Sequence, residues 1–188
     1  LTVHHHLALK VSTLGKEAKY ILNQPNAGGS SIWSEALAME VLQRTLGCRE
    51  VYSEMEIVYF NENWKKCDFI TCLRSERIGV SVTRALLIGK LAPKNPDDLE
   101  ICLYHFLQKK IHGLVVSRVG VDERFNFQQS VLFVWSPDRI TTRLVKKLFH
   151  QLGPELTENI FLMIAETNSK HLTLDFHKSN KWTVEVFY

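Results

Sequence analysis

The chain has 188 residues, 45% hydrophobic and 23% charged, with a net charge of +3 and a pI near 8.7. These proportions exclude a disordered chain, and the length suits one domain that buries roughly 70% of its unfolded surface. No apolar run nears the roughly 20 residues that span a bilayer, and the slight basic excess permits a polyanionic partner without demanding one.

Residues 1–9 carry three histidines where a secretory leader would have a basic stretch and an apolar one. Cys48, Cys67, Cys72 and Cys102 form no C-x-x-C pair, which argues against a zinc site. A long apolar chain also needs no disulfide framework. Buried free thiols and an intracellular, reducing setting are the expectation.

Residues 7–22 carry apolar side chains whose spacing becomes helical in the later part. Residues 23–31 read as a loop, with Ser30 or Ser31 placed to cap a helix over residues 32–46. Gly47 stands where a helix C-terminal cap belongs. Residues 49–60 read as a strand, 61–66 as a hairpin turn and 67–73 as the returning strand. Residues 74–77 form a tight turn into a third strand over 78–87.

Residues 93–98 start a long helix, since proline suits the first turn and Asp97 and Asp98 favour the positive end of the dipole. Leu99, Leu103, Phe106, Leu107, Ile111, Leu114 and Val115 continue it at helical spacing to about residue 119. Gly113 costs that helix about 1 kcal/mol relative to alanine unless something packs closely there. A strand over 130–135, a helix over 138–152, a strand over 160–165 and a closing hairpin of 172–176 with 182–187 complete the chain. The whole of 1–188 reads as a single α/β domain. Its three-strand meander is followed by a crossover helix and a fourth strand able to pair in parallel.

The candidate chemistry lies in the first half. On the helix over 32–46, Glu35 shares a stripe with Met39, Leu42 and Leu46, whereas Glu40 falls on the side expected to be solvated. A carboxylate on an apolar face is costly unless paired or metal-bound; the ordinary alternative is a first-turn acid beside Ser31. Asp68 stands near the start of an apolar strand, where aspartate is disfavoured. It reads either as a metal ligand or as a strand-end residue bonding turn amides. Glu54 and Glu56 share a strand face. Lys109, Lys110 and His112, and Arg139, Arg143, Lys146 and Lys147, are two basic helical clusters able to face phosphates, though a plain solvated helix face is the better reading of the second. The sequence contains no P-loop, no G-x-S-x-G and no H-E-x-x-H.

Element order and residues together resemble the PD-(D/E)XK nuclease superfamily, over about residues 30–136. The resemblance implies a restriction-endonuclease-like core within a central mixed sheet that carries helices on its faces. Residues 137–188 would be a C-terminal elaboration of one helix and strands. It implies Mg²⁺ or Mn²⁺ held by Glu35 and Asp68, and nucleic acid as substrate. Arg84, Lys109, Lys110, Arg143, Lys146 and Lys147 are the candidates to contact it. In the family the third strand carries an acid and a lysine two residues apart. Ser81 and Thr83 hold those catalytic positions here, with Arg84 next along on the side of Val80 and Val82. The implied function is nucleic-acid binding with phosphodiester cleavage weakened or lost. The alternative is an inactive scaffold that binds another protein, without a membrane.

Overall fold

A strand that rejoins its own sheet in parallel needs a long crossover, and the apolar helix after the meander supplies it. The computed structural model describes residues 4–25, 31–85, 98–167 and 181–187. In chain order they form β1 (His4–Lys10), α1 (Lys16–Leu22), α2 (Ser31–Leu46), β2 (Arg49–Ser53), β3 (Phe69–Leu73) and β4 (Glu76–Arg84). Then follow α3 (Asp98–Gly120), β5 (Gln129–Ser136), α4 (Arg139–Gln151), α5 (Pro154–Thr157), β6 (Ile160–Glu166) and β7 (Lys181–Phe187).

The strands make one mixed seven-stranded sheet in the order β1-β7-β6-β5-β4-β3-β2. The meander β2-β3-β4 is antiparallel, and β5 lies parallel to β4 with Val82 opposite Phe133. β6 continues in parallel beside β5. The expected core order of helix, meander, helix and parallel strand is therefore present.

Two apolar layers sandwich the sheet. On one face α1 and α2 pack Leu37, Val41 and Met39 against Phe69, Val80, Val82 and Phe133. On the other, α3 and α4 pack Leu107, Ile111 and Val145 against Ile70, Leu132, Val134 and Ile164. Residues Ser130–Ser136 of β5 are all buried, as expected of a parallel strand covered on both faces. The Trp135 indole donates to the Ser34 carbonyl at 3.1 Å, tying α2 to the sheet. Gly47 caps α2 at φ +75°, and Asp138 caps α4 by accepting from the Thr141 amide at 2.8 Å.

Several expectations need correction. The later part of residues 7–22 is helical as expected, as α1, but the earlier part is a strand: Leu7 and Leu9 turn inward while Ala8 and Lys10 are exposed, a period of two that makes β1 pair with β7. The strand expected over 49–60 stops at Ser53, because the Glu56 carboxylate accepts from both the Ser53 amide and its hydroxyl and turns the chain. Glu54 and Glu56 therefore do not share a strand face. Residues 172–176 lie outside the described residues; 182–187 fall within β7, which sits between β6 and β1. The four cysteines are free, but only Cys48 and Cys67 are fully buried.

Glu40 is not solvated. It is 2% exposed, accepting from the Gly15 amide at 2.6 Å and from Arg44 Nε at 2.7 Å. Arg44 also donates to the Ala8 and Thr13 carbonyls, so the pair fastens the N-terminal segment to α2. Removing one partner of such a buried pair strands the other. Glu40→Ala is therefore expected to cost about 3 kcal/mol in urea unfolding; a loss below about 1 kcal/mol would contradict this anchoring role.

Candidate functional site

The site sits where β3 begins. β4 runs on beyond the first residue of β3, so the Val82 amide faces a gap in the ladder. The Asp68 side chain fills that gap: its Oδ2 accepts from the Val82 amide and, at 3.1 Å, from the Ser81 hydroxyl. The backbone on either side is also held, with Asp68 N donating to the Val80 carbonyl at 2.9 Å and Glu54 N to the Asp68 carbonyl at 3.1 Å. Aspartate is tolerated at this strand end because its carboxylate completes the pairing.

Glu35, Glu54 and Asp68 line one small cleft with Ile21, Ile32, Ser53 and Met55, about 20 Å³ in volume. That is room for one water-sized occupant. A much larger cleft of about 640 Å³ lies at the opposite end of β3, among Glu50, Cys72, Arg74 and Arg77. It is open and holds none of the three carboxylates, so size is a poor guide to the chemistry here.

The carboxylates load one another electrostatically. Burial, then the charges of Asp68 and Glu54, push Glu35 up to about 7, against the opposing effects of a Ser31 hydrogen bond and Lys110. Burial and Asp68 raise Glu54, with Lys66 opposing. Burial raises Asp68, opposed by Lys110 and by the bonds from Val82 and Ser81. Ser31 hydrogen-bonds the Glu35 carboxylate, but α2 starts at Ser31 and has no acid in its first turn, so the first-turn reading of Glu35 does not hold.

The other candidates are dispersed. Ser81 and Thr83 are buried, and Ser81 orients Asp68 rather than supplying charge. Arg84 lies on the α2 side, donating to the Ser34 hydroxyl at 3.3 Å and feeling the charge of Glu35. Lys110 acts on both Glu35 and Asp68, while its neighbour Lys109 is exposed. On α4, Arg143 is exposed, Lys147 pairs with Glu100 at 2.6 Å, and Lys146 lies half-buried beside Glu166 and Glu185. Glu56 is engaged by Ser53 and by the Tyr20 hydroxyl. A further signal for Lys110 was in the sequence: it is three residues from Leu107, four from Leu114 and seven from Leu103, at the margin of the buried stripe of α3.

Comparison with known proteins adds relatives without an activity. No family model matches the chain. It is 30% identical over 162 residues to a Dictyostelium discoideum protein described as "AAC-rich mRNA clone AAC4 protein". That match covers 85% of this chain but 24% of the relative, so the chain spans about a quarter of the relative's length. A structure of SfsA from Pyrococcus furiosus in complex with Ca²⁺ superposes at a TM-score of 0.40 with 13% identity, covering 86% of this chain and 73% of that one.

The raised Glu35 gives a signed pH dependence. Its folded value of about 7 lies above the ordinary 4.5, so the folded state holds the proton more tightly. The stability from that proton is complete near pH 4 and is lost as pH rises through about 7. In EDTA, Glu35→Gln should therefore be more stable than wild type at pH 8, by about 2 kcal/mol, and close to it at pH 4. A stability difference that does not vary with pH would remove the charge loading inferred for the cleft.

Proposed function

We propose that this domain is nuclease-like, binding nucleic acid at the Glu35–Asp68 cleft and cleaving phosphodiesters slowly with Mg²⁺ or Mn²⁺. The observation that carries the reading is the meeting of Glu35, Glu54 and Asp68 in one cleft. Two of the implied ligands thus converge, and Glu54 takes the part of the acid missing from β4. The charge of Lys110 on α3 is felt by Glu35 and Asp68, and in this reading it stands in for the lysine that Thr83 displaces.

The donor set fits such an ion in kind. All three groups are carboxylates, the oxygen ligands that hard cations prefer, and Mg²⁺ is commonly held by only one or two of them with several waters. Among the described residues no group of three or more His, Cys, Asp or Glu side chains is arranged to hold a metal. The reading is therefore of an ion held by one or two of these carboxylates, its waters outside a cleft that has room for a single one. A bound divalent ion would supply the charge that polarises the phosphoryl group and makes water a better nucleophile.

The chain's own residues do the rest. Asp68 is oriented by Ser81 and Val82, Glu35 by Ser31. Lys110 offers positive charge to a phosphate that approaches the carboxylates. With Glu35 raised to about 7, its anionic form prevails only above neutral pH, which makes cleavage slow in acid.

A second reading rests on β4. Ser81 and Thr83 are both buried and uncharged, as a scaffold that retains the fold for binding a protein would allow.

Cleavage of labelled single- and double-stranded DNA and RNA in Mg²⁺, Mn²⁺ or EDTA separates the two readings. Asp68→Asn keeps an acceptor for Ser81 and Val82, and Lys110→Met removes the cation. Metal-dependent cutting that falls about 10²-fold in each variant is the expected result. Clean protein that never cuts, and binds no better with metal, would reject the nuclease reading in favour of the scaffold.

A further inference from the structure

Residues 54–68 join β2 to β3, and the segment starts and ends at the cleft, where Glu54 N meets the Asp68 carbonyl. Between those ends it is anchored on α3. Phe60 N donates to the Gly120 carbonyl, Asp122 N to the Val58 carbonyl, and Tyr59 bridges Val121. Underneath, the buried Tyr59 hydroxyl lies 3.0 Å from Ser117 Oγ, and Cys67 N donates to both hydroxyls. The Trp64 ring occupies the space over Gly120, where an added Cβ would stand 2.3 Å from it; the Lys65 side chain lies about 3.8 Å from a Cβ built on Gly113. Glycine at 120 is what admits the ring.

This anchored segment presents apolar side chains to solvent. Phe60 is 69% exposed and Trp64 43%, with Val58 and Val119 beside them. Such a patch on a fixed backbone marks an interaction surface. Basic side chains accompany it. Lys109, Gly113 and Gly120 share one stripe of α3, so from the Trp64 ring the stripe passes Lys65 and then Lys109. Lys110, next along, acts on Glu35 and Asp68. From Gly120 to Lys110 is about 15 Å along the helix axis.

We propose that this surface is a track for single-stranded nucleic acid, with bases stacked on Phe60 and Trp64 and the backbone led past Lys65 and Lys109 to the cleft. The proposal rests on the nuclease reading and specifies the form of its substrate. Aromatic faces beside lysines suit unpaired bases, which stack without regard to sequence; a duplex keeps its base faces inside. A protein partner fits less well, because lysine is depleted at protein interfaces.

Fluorescence anisotropy on the whole chain in EDTA, with short labelled DNA and RNA single strands and the matching duplexes, tests the track. Phe60→Ala changes an exposed side chain and should weaken single-strand binding about tenfold. Lys109→Ala should weaken it less and lower its salt dependence. Ile140→Ala, an exposed apolar residue on α4, should bind like wild type. Single strands should bind more tightly than duplexes.

Equal affinity for strand and duplex, no binding of either, or unchanged binding by Phe60→Ala would overturn the proposal. So would a dimer in solution that Phe60→Ala dissolves. Metal-dependent cutting with Phe60→Ala silent sinks the track alone. Phe60-dependent strand binding by a protein that never cuts sinks the nuclease reading and leaves the track standing.

Discussion

The middle of the sheet is dry on both faces, and that constraint organises everything else. β4, β5 and β6 run parallel, β5 reached through α3 and β6 through α4 and α5, and α1 and α2 cover the other face, so their side chains face apolar layers above and below. No charge is tolerated there without a partner. Polar chemistry is pushed to the places where strands end, and the start of β3 is such a place.

At that end one residue serves structure and site together. Asp68 satisfies the Val82 amide that β3 is too short to reach, and the same bonds fix the direction of its carboxylate. A carboxylate held by donors on one oxygen is preoriented for whatever approaches the cleft, without the entropy cost of ordering it at that moment. Lys110 opposes the raising of Glu35 and Asp68, and Lys66 that of Glu54, so the cleft carries three crowded acids under the influence of nearby positive charge.

Two anchors hold the walls of the cleft from behind. The Glu40–Arg44 pair seats α2 against the N-terminal segment and so positions Glu35, one turn earlier on the same helix. The Tyr59–Cys67–Ser117 network clamps the connection between β2 and β3 onto α3, immediately before Asp68. Both are buried polar clusters with their hydrogen bonds made, the condition under which such groups specify one arrangement. The long connection is therefore an ordered wall, which makes its exposed aromatic side chains usable as a surface.

Apolar periodicity alone determined the helices over 32–46 and 138–152, the meander, the long crossover and the parallel strand after it, because each buries a continuous face that local sequence must encode. The same pattern, with the rarity of acids in strands, singled out Glu35 and Asp68. Tertiary structure decided what depends on distant partners. Glu40 looked solvated on the helical wheel, yet Gly15 and Arg44 cover it. The strand after residue 49 was cut short by one carboxylate bond from Glu56 to Ser53, too local a competition for periodicity to register. Glu54 joined the cleft because that turn redirected it, and the charge of Lys110 bears on Glu35 and Asp68 because the crossover laid α3 across the sheet. Spacing along a chain records which face a residue takes; which groups meet across that face is set by packing between elements far apart in sequence.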